Sequence, residues 1–237
     1  MIPSPPEIVS LRREQPTTSV FSRDYLVMDP LIVWLRDIAV QYANGQLLDF
    51  GCGNKPYQSF FQPKIKKYVG VDLTQNQQNS VDIVLGDRDR LPIDANSYDT
   101  VLSTQVLEHV PDPDRYLEEA SRVLQVGGHL ILTCPGSYML HEEPHDYYRY
   151  TIYGLKHLLL KHGLKPVHMD QAGGAWRLIG QTILNHIAFG RKYKIPLISK
   201  VTYHCWVLVV NILFSTFDSL NVNAKDTVNY MIIAQKI

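Results

Sequence analysis

One stretch constrains this chain more than any other: Leu47-Leu48-Asp49-Phe50-Gly51-Cys52-Gly53-Asn54-Lys55-Pro56, an apolar run that ends in an acid and a pair of glycines. Gly51 and Gly53 carry no Cβ, so the backbone there can turn tightly at positive φ and let a flat or charged ligand lie against its N–H groups. Asp49 falls where the strand stops, at the carboxyl edge of a parallel sheet, which is where open α/β sheets bind ligands. Taken alone, the Gly-x-Gly turn fits an ordinary strand-to-helix connection equally well.

The chain around it alternates. Asp29-Pro30 followed by Leu31, Ile32, Leu35, Ile38, Ala39 and Tyr42 predicts a helix over 29–42, capped by Asp29 with Pro30 in its first turn. Residues 68–73 form a second apolar run, ending at Asp72-Leu73, and 81–85 a third, followed by Gly86-Asp87-Arg88. Residues 98–103 make a fourth strand, and Asp112-Pro113-Asp114 opens a helix that Gly127-Gly128 ends. Strands over 129–135 and 164–171 follow, separated by a long polar loop and a helix from Thr151 to Gly163. Nearly unbroken apolar strands alternating with amphipathic helices imply an α/β fold, a Rossmann-like, mostly parallel sheet with helices on both faces. The separation of Gly53 and Asp72 is close to the roughly twenty residues that put an acid at the end of the neighbouring strand in a nucleotide-binding unit, where a carboxylate can accept both ribose hydroxyls.

Charge narrows the partners. Lys plus Arg and Asp plus Glu are balanced at 23 each, so nothing electrostatic points to nucleic acid. Cys52, Cys134 and Cys205 are widely spaced and form no disulfide or zinc framework, which fits a reducing, cytoplasmic setting. The proline-rich start, with no apolar run, reads as an extended arm over 1–28 or a lid, and not as a secretory signal. The remainder, 29–237, reads as one domain.

From Leu48-Asp49-Phe50-Gly51-Cys52-Gly53 through Gly70-Val71-Asp72, Gly86-Asp87, Leu91-Pro92, Tyr98-Asp99, Leu107-Glu108-His109-Val110 and Gly127-Gly128, the chain resembles the class I S-adenosylmethionine-dependent methyltransferases, in the branch called methyltransferase type 11. The resemblance covers about 46–174 and implies seven strands, six parallel and the last antiparallel, with S-adenosyl-L-methionine over the carboxyl ends of the first strands. It implies that the backbone at Gly51, Cys52 and Gly53 faces the methionine part, with Asp49 near its ammonium. Asp72 would hold the ribose hydroxyls and Leu73 would lie against the adenine. Asp87 would accept from the adenine amino group, the Arg88 backbone would read a ring nitrogen, and Gln105 would line the sulfonium end. Many relatives carry a third glycine where this chain has Lys55. Pro56 in turn stands where the dinucleotide fingerprint needs a small residue, which disfavours the rival reading, a nicotinamide-dependent oxidoreductase. A non-catalytic module that binds S-adenosylmethionine remains the other alternative.

The acceptor side is less determined. Methyl transfer from a sulfonium is an in-line displacement, in which the enzyme aligns the acceptor, excludes water and, for a hydroxyl, helps remove a proton. His109 could do this or could shape the turn before Pro111. His141 and His145 lie in the loop 136–150, crowded with tyrosine and acid, which suits either a substrate-facing loop or a surface loop anchored by its tyrosines. A metal is not expected from spacing, since the ligands fall on a loop with no zinc-like pattern. Relatives with a segment like Pro144-His145-Asp146-Tyr147-Tyr148-Arg149-Tyr150 are linked to polysaccharide or natural-product clusters, so a small-molecule or glycan acceptor is expected.

The tail adds an insertion at about 175–222 that would help build the acceptor pocket. It holds a helix over 176–189 and an apolar stretch over 206–214, too short to span a bilayer. That stretch reads as a buried or homodimer-forming helix within 198–220, or as a peripheral membrane contact flanked by Lys192, Lys194 and Lys200. Residues 228–234 supply the last strand.

Overall fold

The computed structural model describes residues 18–86, 90–192, 200–220 and 225–237. Helix α1 (Tyr25–Trp34) passes through one wider, π-type turn (Leu35–Ala39) into α2 (Val40–Tyr42). Strand β1 (Gln46–Phe50), the short α3 (Gln58–Phe61), β2 (Lys67–Asp72), β3 (Ile83–Val84) and β4 (Tyr98–Thr104) follow. A 3₁₀ turn (Leu107–His109) leads to α4 (Pro113–Val123), β5 (Leu124–Pro135), α5 (Ile152–Lys161), β6 (Leu164–Ala172), α6 (Ala175–Lys192), α7 (Lys200–Leu220) and β7 (Asn229–Lys236).

The seven strands form one sheet in the order β3-β2-β1-β4-β5-β7-β6. β1 to β5 pair in parallel, and β7 runs antiparallel between β5 and β6, as the family resemblance implied. Because successive strand residues face opposite sides, each strand feeds two cores. Leu48, Val101, Leu130, Leu132 and Ile232 pack on one face with α4 and α5 residues such as Leu117 and Leu155. Leu47, Leu102, Ile131, Met231 and Ile233 pack on the other with Leu31, Leu35 and Ala39. Capping is local and readable: the Asp112 side chain accepts from the Arg115 N–H at 3.1 Å, and Thr151 accepts from the Gly154 N–H at 3.1 Å.

Three sequence expectations move. The first helix starts at Tyr25, not at Asp29, and Pro30 lies inside it. Proline leaves the carbonyl four residues earlier without its helical donor. Here that carbonyl belongs to Leu26, and Arg177 of α6 donates to it at 3.3 Å. Leu26 is fully buried with Leu184, Val207 and Val210, so the packed chain extends to the N-terminal side of Asp29. Gly127-Gly128 does not end a helix. α4 stops at Val123 and both glycines sit in β5, where the register skips from Tyr98↔Leu124 to Thr100↔His129. Gly127 takes φ +83°, and a Cβ on Gly128 would lie 2.8 Å from the Asp99 carbonyl oxygen. Third, the apolar stretch 206–214 is part of a 21-residue helix. Within it, Thr202–Leu220 is long and apolar enough to cross a membrane by length and composition.

α7 is nevertheless tied to the domain by polar side chains. Asn211 is fully buried and donates to the Val20 and Ser22 carbonyls at 2.6 and 2.9 Å, while buried Asp218 accepts from the Gly174 N–H at 3.0 Å. The opposite face exposes Trp206, Val209, Leu213, Phe217 and Leu220 at helical spacing.

Candidate active site

The carboxyl ends of β1, β2 and β4 gather the first cluster. Gly51 and Gly53 take φ +88° and +50°, and a Cβ on Gly51 would meet Val106 Cγ2 at 2.5 Å. The turn therefore requires glycine at this point. Its N–H groups, however, are not offered to a ligand: those of Gly51 and Cys52 both donate to the Val71 carbonyl, at 2.8 and 3.0 Å, and that of Gly53 donates to Asp72 Oδ2 at 2.9 Å. What the glycines provide is room and turn geometry. Cys52 is buried, its thiol pushed up first by that burial and then by the neighbouring Asp49 and Asp72, so it is no nucleophile near neutral pH.

Asp49 is 2% exposed and is pushed up to about 7, chiefly by desolvation, with the Tyr68 hydrogen bond opposing and the charge of Asp72 adding to the rise. The Tyr68 hydroxyl donates to Asp49 Oδ2 at 2.5 Å, while Oδ1 is buried with no hydrogen-bond partner. A buried carboxylate oxygen with no donor is costly unless a proton or a cation comes to it. Asp72 sits opposite, its Oδ1 taking the Leu73 N–H at 2.7 Å and its Oδ2 that of Gly53. These two backbone donors orient the carboxylate at the end of β2. Leu73 beside it is 61% exposed, an apolar side chain at the sheet edge. Gln105, immediately after β4, takes the left-handed region at φ +54°, strained for a side chain other than glycine. Its N–H and Nε2 are both anchored on Thr133, at 2.9 and 3.2 Å. Asp87 and Arg88 lie outside the described residues.

Lys55 explains the missing third glycine. At φ +52° its side chain passes over Gly70, where no Cβ would fit, and its Nζ meets Asp82 Oδ2 at 2.6 Å. Asp82 also accepts from the Gly70 N–H at 2.7 Å. Lys55 thus pins the turn to β2.

The second cluster follows Gln105. Glu108 is fully buried, both its carboxylate oxygens lack a hydrogen-bond partner, and burial pushes it up to about 8. His109 Nδ1 lies 2.7 Å from the His145 carbonyl oxygen and its Nε2 lies 3.7 Å from Glu108 Oε1. His141 from the loop stands edge-on to His109, ring centroids 4.8 Å apart. The loop itself is built on Asp146, which is 1% exposed, accepts the His141 N–H at 3.0 Å and pairs with both guanidinium ends of Arg149. Burial lowers the affinity of His141 for a proton, with Asp146 opposing. Tyrosines fasten the loop to the 3₁₀ turn: the Tyr147 and Tyr148 N–H groups donate to the Glu108 carbonyl, and the Tyr148 and Tyr150 hydroxyls to those of Pro111 and Leu107.

Both sequence readings of this loop therefore hold in part. Its tyrosines anchor it, and it brings His141 to His109. His145 is exposed and contributes its carbonyl, its ring meeting Tyr147 at 3.2 Å. Sequence reasoning named Glu108 only as the neighbour of His109, and missed Tyr68 as the partner of Asp49. The pairing Asp49↔Gly70 puts Tyr68 two positions back on the same face, a signal available once the register is known.

Residues 48–132 match the family described as "Methyltransferase domain". A phthiotriol/phenolphthiotriol dimycocerosates methyltransferase of Mycobacterium ulcerans is 30% identical over 105 residues, 40% of this chain and 39% of that protein. The chain thus matches well under half of that relative's length. Among solved structures, the [4+2]-cyclase SpnF superposes with a TM-score of 0.57 at 20% identity, covering 86% of this chain and 80% of that one. A Haemonchus contortus phosphoethanolamine N-methyltransferase in complex with S-adenosyl-L-methionine gives 0.53 at 18% identity, covering 97% of this chain and 60% of that one. Residues 48–132, a little over a third of the chain, thus carry the type 11 methyltransferase domain, and the chain as a whole has the Rossmann-like fold of the solved S-adenosylmethionine-dependent methyltransferases.

Proposed function

We propose that the chain binds S-adenosyl-L-methionine and transfers its methyl group in line to a small-molecule, glycan or natural-product acceptor. The observation that carries this is the pair of strand-end acids, Asp49 with an unpartnered buried oxygen and Asp72 held by two backbone donors, on either side of the Gly51–Gly53 turn. A ligand with an ammonium supplies what Asp49 lacks, and the Asp72 carboxylate, oriented by the Leu73 and Gly53 N–H groups, stands where it can accept from ribose hydroxyls. When bound, the cofactor supplies a methyl group on a sulfonium, already activated for displacement. Leu73 offers an apolar surface for a flat base, and Gln105, fixed by Thr133, lines the approach. A phosphate-rich dinucleotide fits these acids poorly, since it calls for cationic or N–H donors and the turn's N–H groups are spent.

Proton removal from a hydroxyl acceptor falls to the second cluster. The His145 carbonyl takes the Nδ1 proton of His109, which leaves the Nε2 lone pair free toward Glu108. The exposed row on α7 supports a contact with a membrane or with a second copy of the chain. The fold also carries chemistry other than methyl transfer, as the cyclase neighbour illustrates, so binding and turnover are tested separately. Isothermal titration with S-adenosylmethionine and, in parallel, NAD should give heat with the former alone; no heat with S-adenosylmethionine refutes the proposal. Formation of S-adenosylhomocysteine across a panel of hydroxylated lipids, glycans and polyketides then tests turnover, and its absence with every acceptor favours the non-catalytic module.

A further inference from the structure

We propose that Glu108, His109 and His141, where the loop 136–150 folds over the turn after β4, form a binding site for one divalent transition-metal ion. One ligand atom from each lies within 4.8 Å of the other two. Glu108 is completely buried and, among the described residues, neither of its oxygens has a donor. The nearest polar atom of His109 toward it, Nε2 at 3.7 Å from Oε1, is too far for a hydrogen bond.

Both histidines are set up by their other nitrogen. His109 Nδ1 is 2.7 Å from the His145 carbonyl, and His141 Nδ1 is 3.2 Å from the Met139 carbonyl and 3.3 Å from Asp146 Oδ2. The His145 carbonyl draws the His109 proton to Nδ1 and leaves its Nε2 lone pair available, the arrangement by which backbone carbonyls orient metal-binding imidazoles, while at His141 Nδ1 the two acceptors compete with the Arg149 Nη2 donor at 3.3 Å. A buried carboxylate facing imidazole lone pairs is costly unless a proton or a cation lies between them. Two imidazoles and one carboxylate suit zinc, iron, cobalt or nickel better than magnesium. Bonds of about 2.0–2.2 Å would draw the three ligand atoms to roughly 3.5 Å apart, a closure of about 1 Å that side-chain rotation supplies.

Three protein ligands leave coordination positions open, the pattern of a site that takes a substrate. The class of ligand that fits is a hydroxyl-bearing acceptor. Its oxygen binds the ion, which then takes over from the His109 lone pair the release of the O–H proton, and that proton passes to solvent. The oxygen then forms a bond to the methyl carbon as the carbon–sulfur bond breaks, the bonding pair staying on sulfur, with no change of oxidation state. This last role rests on the methyl-transfer reading above; ion binding does not.

The test uses the full chain, stripped with chelator and titrated with Zn²⁺ and Co²⁺. One equivalent should bind with micromolar or tighter affinity, and Co²⁺ should give visible ligand-field bands. Glu108→Gln and His141→Ala should each weaken binding at least tenfold, and His145→Ala, which keeps its carbonyl, should not change it. Thermal melts without metal check that each variant folds. Substoichiometric binding, or Glu108→Gln and His141→Ala binding like the parent, overturns the proposal. An ion that binds in a protein giving no heat with S-adenosylmethionine would sink the methyl-transfer reading alone, and the reverse result would sink the metal site alone.

Discussion

Replacing Asp49 by asparagine should make stability less dependent on pH, by an amount that its burial sets. The carboxyl is raised from 3.8 to about 7 in the folded chain. Below pH 4 it is neutral in both states and contributes nothing to the pH dependence. Between about 4 and 7 the unfolded chain ionises while the folded one holds its proton, so stability falls by about 1.4 kcal/mol per pH unit. Above 7 the loss levels off at roughly 4 kcal/mol. Asparagine does not ionise. Its extra N–H group inherits the unpartnered side of the pocket and costs about 1–3 kcal/mol at every pH. The variant should therefore be less stable than the parent at pH 4 and more stable at pH 8.5. The difference between the two ΔΔG values, roughly 4 kcal/mol, is independent of the asparagine penalty. Urea denaturation of both proteins at the two pH values measures it. Equal ΔΔG at pH 4 and 8.5 would refute the assignment of a raised, buried carboxyl at this position. The same variant should bind S-adenosylmethionine at least tenfold more weakly, because the ionised oxygen that would meet the ammonium is gone.

Asp72→Ala should weaken S-adenosylmethionine binding by well over tenfold, a charge-assisted contact being worth roughly 1.5–3 kcal/mol; calorimetric affinity unchanged in a folded variant would remove Asp72 from the site. His145→Ala removes a ring and keeps the backbone carbonyl that His109 uses. With the ring exposed and only the carbonyl engaged by His109, turnover should stay within about threefold, whereas Asp146→Ala, which leaves Arg149 and the His141 N–H without their buried acceptor, should lower it far more and raise amide exchange across 139–150. Trp206→Glu on the exposed face of α7 should abolish either vesicle flotation or dimer sedimentation of the parent chain; a parent that is monomeric and ignores vesicles would leave that face without the proposed contact.

Much of this architecture was legible because its causes are local. Apolar runs ending in acids, glycines at positive φ and capping residues such as Asp112 and Thr151 act within a few residues, so the succession of strands and helices along the chain, the turn at Gly51 and the acid at Asp72 could be read directly. Pro30 misled because its rule is also local: proline belongs in a first turn unless another group serves the carbonyl it abandons, and Arg177, nearly 150 positions away, does so here. Gly127-Gly128 misled in the same manner, since glycines that end helices and glycines that pass a strand irregularity look alike until the partner strand is known.

The sequence by itself determined the sheet class, the turn and the carboxylates at the strand ends, because backbone propensity and side-chain periodicity encode them within one element. Only the tertiary structure decided which groups are left without partners. Asp49 Oδ1 lacks a donor among the described residues because Tyr68 reaches only Oδ2 and the packed sheet buries the other oxygen. Glu108 becomes the buried centre of a cluster because the loop carrying His141 folds back over it on an Asp146–Arg149 pair. Burial and the lack of a partner are properties of three-dimensional surroundings assembled from distant segments, and no spacing along the chain records them.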